Sequence, residues 1–148
     1  MLTFNSGLKI AVLAPVDISS DINEDANSHS LVLMLEYLGY EILLTGDMEV
    51  EEMEDISDRG ASWGADFLKI PHHGSKGSLD RDWFDQINPL AVFVSVGVNR
   101  FGHPAQEVLA YWEERKIPVY RTDYHGTIRL VIDKRGYRVI PGRATPDS

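Results

Sequence analysis

The sequence predicts an α/β layered domain, a sheet with helices packed on it, and three observations carry that prediction. Apolar runs of strand length recur along the chain, each closed by proline, glycine or a polar turn. Two early runs, Leu31–Glu36 and Glu41–Thr45, are separated by too little chain for a helix and must pair antiparallel. From Ala65 onward, strand-like runs alternate with stretches of helical period, the pattern of a sheet whose crossovers are helices.

Taken in order, Leu8 to Ala14 reads as a strand closed by Pro15, and Asp17 to Ser28, rich in Asp, Asn and Ser, as a polar loop. The two antiparallel runs form a hairpin turning at Tyr37-Leu38-Gly39-Tyr40 through Gly39. Between Met48 and Arg59, Val50, Met53 and Ile56 recur every third residue among acids, which predicts a short helix with a solvated acidic face. Ala65 to Ile70 is a strand ending at Pro71. Ser78 to Ile87 is a helix with Trp83, Phe84 and Ile87 turned inward, stopped by Pro89. Ala91 to Val96 follows as a buried strand. Pro104 opens a third helix on which Ala105, Val108, Leu109 and Trp112 share a face, and Val119 to Arg121 resumes as strand. Thr127 to Ile132 and Tyr137 to Ile140 flank Asp133-Lys134-Arg135-Gly136 as a second hairpin. Residues 1–140 therefore read as one domain, and Pro141 to Ser148 as a frayed, flexible tail.

Composition sets the outer limits. At 148 residues, 43% hydrophobic and 25% charged, the chain can bury one core. A formal net charge of −9 gives no global field to attract nucleic acid or an anionic membrane, so any phosphate binding must be local. With no cysteine, disulfides, thiolate zinc sites and cysteine nucleophiles are excluded, and metal chemistry must come from His, Asp and Glu. The start has neither the basic nor the apolar region of a signal peptide, and no apolar run approaches the ~20 residues of a membrane span. The chain as written is expected to be soluble.

Three segments place polar side chains just past the end of a buried strand, where a scaffold holds them rigidly: Leu44-Thr45-Gly46-Asp47, Ile70-Pro71-His72-His73-Gly74-Ser75 and Phe101-Gly102-His103-Pro104. Gly46 allows a tight turn from which the Asp47 carboxylate can point away from the sheet and bridge divalent ions. The competing reading is that Asp47 caps the acidic helix behind it. His72 and His73 are the sharpest signal, because imidazole is the commonest catalytic zinc ligand and nearby backbone amides can hold phosphate. On an extended segment the two rings point apart, so one would ligate metal and the other serve beside it or as general acid; which is which stays open. His103 is either a donor to a substrate phosphate at the helix start or simply a helix-entry residue. Lys69, Lys76, Arg81 and Arg100 surround these motifs and offer local positive potential, or are exposed solvated charges. His29 and His125 stand in polar loops, and the expectation for both is solvation and no role.

The run Asn27-Ser28-His29-Ser30, then Leu43-Leu44-Thr45-Gly46-Asp47, then Leu68-Lys69-Ile70-Pro71-His72-His73-Gly74-Ser75, then Ser95-Val96-Gly97 with Gly102-His103-Pro104, then Tyr120-Arg121-Thr122-Asp123 with Gly126 resembles the metallo-β-lactamase-like domain of ComEC/Rec2-type DNA internalization proteins. The resemblance extends from about Leu8 to Ile132, and the combination is far more specific than any one motif. It implies the second half of an αββα sandwich, with Asp47 as a metal-bridging carboxylate and His72 or His73 as the late histidine ligand. It also implies two divalent ions, zinc or manganese, in the intact family domain, which hydrolyses esters, amides and phosphodiesters. In ComEC-type proteins the domain lies outside the cytoplasm and is linked to degradation of the non-transported DNA strand, so single-stranded DNA is the implied substrate.

The family's early His-x-His-x-Asp-His motif is absent before Asp47. The chain is therefore expected to be inactive alone, to bind zinc weakly, and to need a partner for its bare sheet face. That partner would be the missing half-domain or a second copy, making a homodimer. The alternatives are a non-catalytic binding or assembly module, or a small-phosphoester hydrolase completed by another chain.

Overall fold

The computed structural model describes residues 1–15, 30–58, 60 and 63–143. The expected polar loop from Asp17 to Ser28, His29, Arg59 and the last five residues of the expected tail lie outside the described residues.

A mixed seven-stranded sheet runs in sequential order: β1 (Leu2–Thr3), β2 (Lys9–Ala14), β3 (Val32–Tyr37), β4 (Tyr40–Leu44), β5 (Phe67–Lys69), β6 (Ala91–Val94) and β7 (Val119–Arg121). β1 to β4 pair antiparallel, and β4 to β7 pair parallel. The switch follows from connection length. β3 and β4 are joined by the tight turn at Leu38 and Gly39, both with positive φ. The parallel strands are joined by helices: α1 (Val50–Asp58), α2 (Arg81–Ile87) and α3 (Gln106–Glu114).

Register decides which face each helix covers. Leu43, Leu68, Val92 and Val119 are aligned across the parallel strands and point one way. Met53 and Ile56 of α1, Trp83, Phe84 and Ile87 of α2, and Val108, Tyr111 and Trp112 of α3 join the first three of these in one buried core. α2 begins later than expected, at Arg81, because the Asp80 carboxylate accepts from Trp83 N (3.1 Å) and sets the cap there, while Lys76–Ser78 forms a 3₁₀ turn. α3 likewise begins at Gln106, with Ala105 as its cap residue.

The opposite face carries Ile42, Leu44, Phe67, Lys69, Phe93 and Tyr120. It was expected to be bare. Instead a hairpin of β8 (Ile128–Asp133) and β9 (Gly136–Pro141) folds over part of it, with the Tyr137 ring 4.9 Å from Phe67 and 5.7 Å from Tyr40. The cover is incomplete: a cavity of about 260 Å³ lined by Ile42, Leu44, Phe93, Ile128 and Leu130 remains beneath it, and Val12 on the uncovered side is 55% exposed. β9 runs through Pro141, and Gly142 and Arg143 donate to Thr127 O (2.7 Å) and His125 O (2.9 Å), so these three residues are ordered structure, not tail. The architecture is α/β, a mixed sheet with helices packed on it, consistent with part of an αββα fold.

Candidate metal centre

Parallel strands deliver their loops to one edge, the carboxyl end, where α/β sheets place ligands. Asp47 follows β4, His72 and His73 follow β5, Ser95 to His103 follow β6, and Thr122 follows β7. Short hydrogen bonds join neighbouring loops in turn. The Thr45 hydroxyl donates to Lys69 O (2.8 Å) and His72 N to Gly46 O (3.2 Å). Ala105 N donates to Gly74 O (2.8 Å), and Val96 N to the Thr122 hydroxyl (2.7 Å).

Gly46 makes the expected turn with φ +57, and a Cβ there would lie 3.1 Å from Leu31 O. The turn is pinned by Ser30, whose hydroxyl accepts from Asp47 N (3.1 Å). Asp47 does not cap α1: the Glu52 carboxylate accepts from Glu49 N (2.8 Å) at the helix start, and the Asp47 carboxylate faces His73 instead, Oδ1 lying 3.6 Å from Nε2. Both side chains are nearly half exposed, which leaves them open to a ligand.

The histidine pair is not on an extended segment, as its sequence suggested. His72 and His73 have φ +44 and +55, and with Gly74 at +78 they form a left-handed turn. Two non-glycine residues held this way cost roughly 1–2 kcal/mol each, a strain kept where the surrounding structure imposes it. The rings still diverge, with centroids 6.2 Å apart. His72 Nδ1 lies 2.8 Å from the Glu49 carboxylate. His73 Nδ1 lies 2.5 Å from Ser95 O. A carbonyl only accepts, so Nδ1 of His73 carries a proton, and Nε2 is turned toward Asp47. A carbonyl that fixes one ring nitrogen while the other faces the ligand position is the usual support for a metal-binding imidazole. Asp47 and His73 therefore fit a divalent ion as two of its ligands. Among the described residues, no group of three or more His, Cys, Asp or Glu side chains converges on one point.

His103 closes the other side, its ring 5.7 Å from that of His72. Burial, with the neighbouring His72 and His73, holds its pKa below the usual histidine value, so at pH 7 it is neutral and offers at most one N–H. Among the backbone amides beside the histidines, those of His72, Ser75, Gly77 and Ser78 are bonded internally and so are not open to a phosphate.

Nor do the basic residues make one patch. Lys76 is paired with Glu107 (2.8 Å), and Arg81 sits over the Tyr111 ring on the helix side. Lys69 donates to Gly46 O (2.8 Å), bracing the Asp47 turn; burial lowers its pKa, partly countered by the Asp47 carboxylate. Arg100 is exposed on the loop after β6. His125 was expected to be solvated. It is 5% exposed, and its Nδ1 accepts from Arg121 N (2.9 Å) in the short helix α4 (Thr122–His125), a structural contact.

No family model matches the chain. It is 41% identical to ComE operon protein 3 of Bacillus subtilis over 124 residues, which is 82% of this chain and 16% of the relative. It is 30% identical to Recombination protein 2 of Haemophilus influenzae over 84% of this chain and 15% of the relative. The chain is a homologue of the ComEC/Rec2-type competence proteins. Competence protein ComA of Neisseria gonorrhoeae is 27% identical over 78% of this chain. The chain spans less than a fifth of the length of these competence proteins.

Sequence reasoning missed two residues that shape this site. Glu49 was read as part of a solvated acidic face, yet it holds His72; its position two residues past Asp47 was the available signal. Asn99 was not singled out at all. Its carboxamide accepts from Phe101 N and His103 N (3.0 Å each) and donates to Gly97 O (2.9 Å) and His103 O (2.8 Å), so it shapes the whole loop that carries His103.

Proposed function

We propose that the chain is part of a metal-dependent hydrolase domain that acts on DNA phosphodiesters during competence, with Asp47 and His73 holding the metal. The observation that carries this reading is the Asp47–His73 pair at the carboxyl edge of the parallel strands, with His73 fixed by Ser95 O. The names of the competence relatives support the process. A divalent zinc or manganese ion bound there supplies Lewis acidity and lowers the pKa of water. The chain's own residues orient the pair: Ser30 and Lys69 brace the Asp47 turn, and Glu49 aligns His72 beside it. Neutral His103 donates a hydrogen bond to a phosphate oxygen.

Two ligands do not complete a catalytic site, so the proposed centre takes further ligands from beyond the described residues or from a second copy. The incompletely covered sheet face is the surface available to whatever supplies them. Among the described residues no helix is long and apolar enough to cross a membrane. By the family resemblance the domain works outside the cytoplasm.

The absence of a third converging ligand among the described residues favours a second reading, a non-catalytic assembly module. Cleavage of single-stranded DNA in zinc or manganese separates the two. The chain is mixed with a polypeptide carrying the family's His-x-His-x-Asp-His motif, and Asp47→Ala is run in parallel. The hydrolase reading predicts cleavage by the mixture, falling about 10²-fold or more in Asp47→Ala. No cleavage by the mixture, or equal cleavage by the variant, selects the assembly module.

A further inference from the structure

Among the described residues, the loop between β6 and α3 exposes two large apolar side chains beside the metal-site histidines. Phe101 is 82% exposed and Val98 is fully exposed. An exposed aromatic on a mobile loop would mean little. This loop is held in shape by the four hydrogen bonds of Asn99, so the ring is presented in a fixed position. One face of the ring is stacked on His103 (centroids 5.8 Å, planes 18° apart), and the other face is open. Next to it lies a pocket of about 390 Å³ lined by His73, Ser95, Thr122 and His103 along with the loop. Folding alone gives no reason to fix an apolar ring in water at this place; a preformed surface for a flat ligand does.

We infer that Phe101 is a stacking platform for a nucleobase of single-stranded DNA, one that holds the base next to the phosphate at Asp47 and His73. The inference rests on the phosphodiester reading for the ligand's identity. Paired bases in a duplex have both faces covered by their neighbours, so only an unpaired base offers a face to the ring. The Asn99 carboxamide is consumed within the loop and presents no polar edge, so the platform accepts any base. A net charge of −9 gives the chain little general attraction for a phosphate backbone, which makes stacking the main source of affinity.

The test is fluorescence anisotropy with a labelled oligothymidylate and an abasic strand of equal length, on the whole chain, Phe101→Ala and Phe101→Tyr. Wild type binds oligothymidylate more tightly than the abasic strand. Phe101→Ala loses about 5- to 150-fold of the oligothymidylate affinity and none of the abasic affinity. Phe101→Tyr retains the difference. Equal binding of the two strands by wild type, no effect of Phe101→Ala, or no binding at all overturns the platform. So does Phe101-dependent cosedimentation with anionic vesicles without base-dependent binding, which assigns the loop to a membrane surface. Failure of cleavage in the reconstituted assay, with base-dependent binding intact, removes the hydrolase reading and leaves the platform standing.

Discussion

Gly74→Ala is expected to destabilise the fold by about 2–5 kcal/mol, from two separate costs. Gly74 has φ +78, a conformation that an L side chain disfavours by roughly 1–2 kcal/mol. An added Cβ would also sit 2.7 Å from Pro104 Cβ and 3.2 Å from Pro104 Cα. A proline ring cannot rotate away, so the backbone must move, at about 1–3 kcal/mol. The movement has a functional side: Ala105 N donates to Gly74 O across this contact, joining the His72–His73 turn to the segment that carries His103. Urea unfolding should show a lower midpoint at unchanged slope. A wild-type midpoint would mean that the two loops are not packed as described.

The other large effect lies in the core. Trp112 is fully buried, with its ring 4.9 Å from Phe84 and 4.8 Å from Tyr111, and Trp112→Ala should cost about 3–5 kcal/mol. Trp112→Phe should cost less than about 2 kcal/mol. Among the described residues the indole N–H has no hydrogen-bond partner, so phenylalanine loses area but also removes a buried unpaired donor. The same unfolding titration checks the order of the two variants. Equal losses would mean that the indole nitrogen is satisfied in solution.

The elements legible in the sequence were those where one period dominates. Leu31 to Thr45 gave a hairpin because two apolar runs leave only Leu38 and Gly39 to turn on. The helix carrying Trp83, Phe84 and Ile87 was evident from its spacing, and only its start was misplaced, because the Asp80 cap outweighs the propensity of Ser78. β1 went unseen, since two residues carry no period. The sheet face predicted to be bare is partly covered, because local pattern identified the second hairpin but could not say where it docks. In the site, Asp47 and the histidine pair stood out by residue type and by their place after strands. Their geometry did not. The left-handed turn of His72, His73 and Gly74 is tied to separate loops through His72 N to Gly46 O and Ala105 N to Gly74 O, and the choice between the two histidines depends on Ser95 O, more than twenty residues away. Long-range partners of this kind leave no local signal.

The most direct test of the account is a calorimetric titration of zinc or manganese into the chain and into Asp47→Ala, His73→Ala and His72→Ala. The geometry predicts metal binding that weakens more than about tenfold in Asp47→Ala and in His73→Ala, with a smaller loss in His72→Ala. Binding that survives His73→Ala unchanged but disappears in His72→Ala would contradict it.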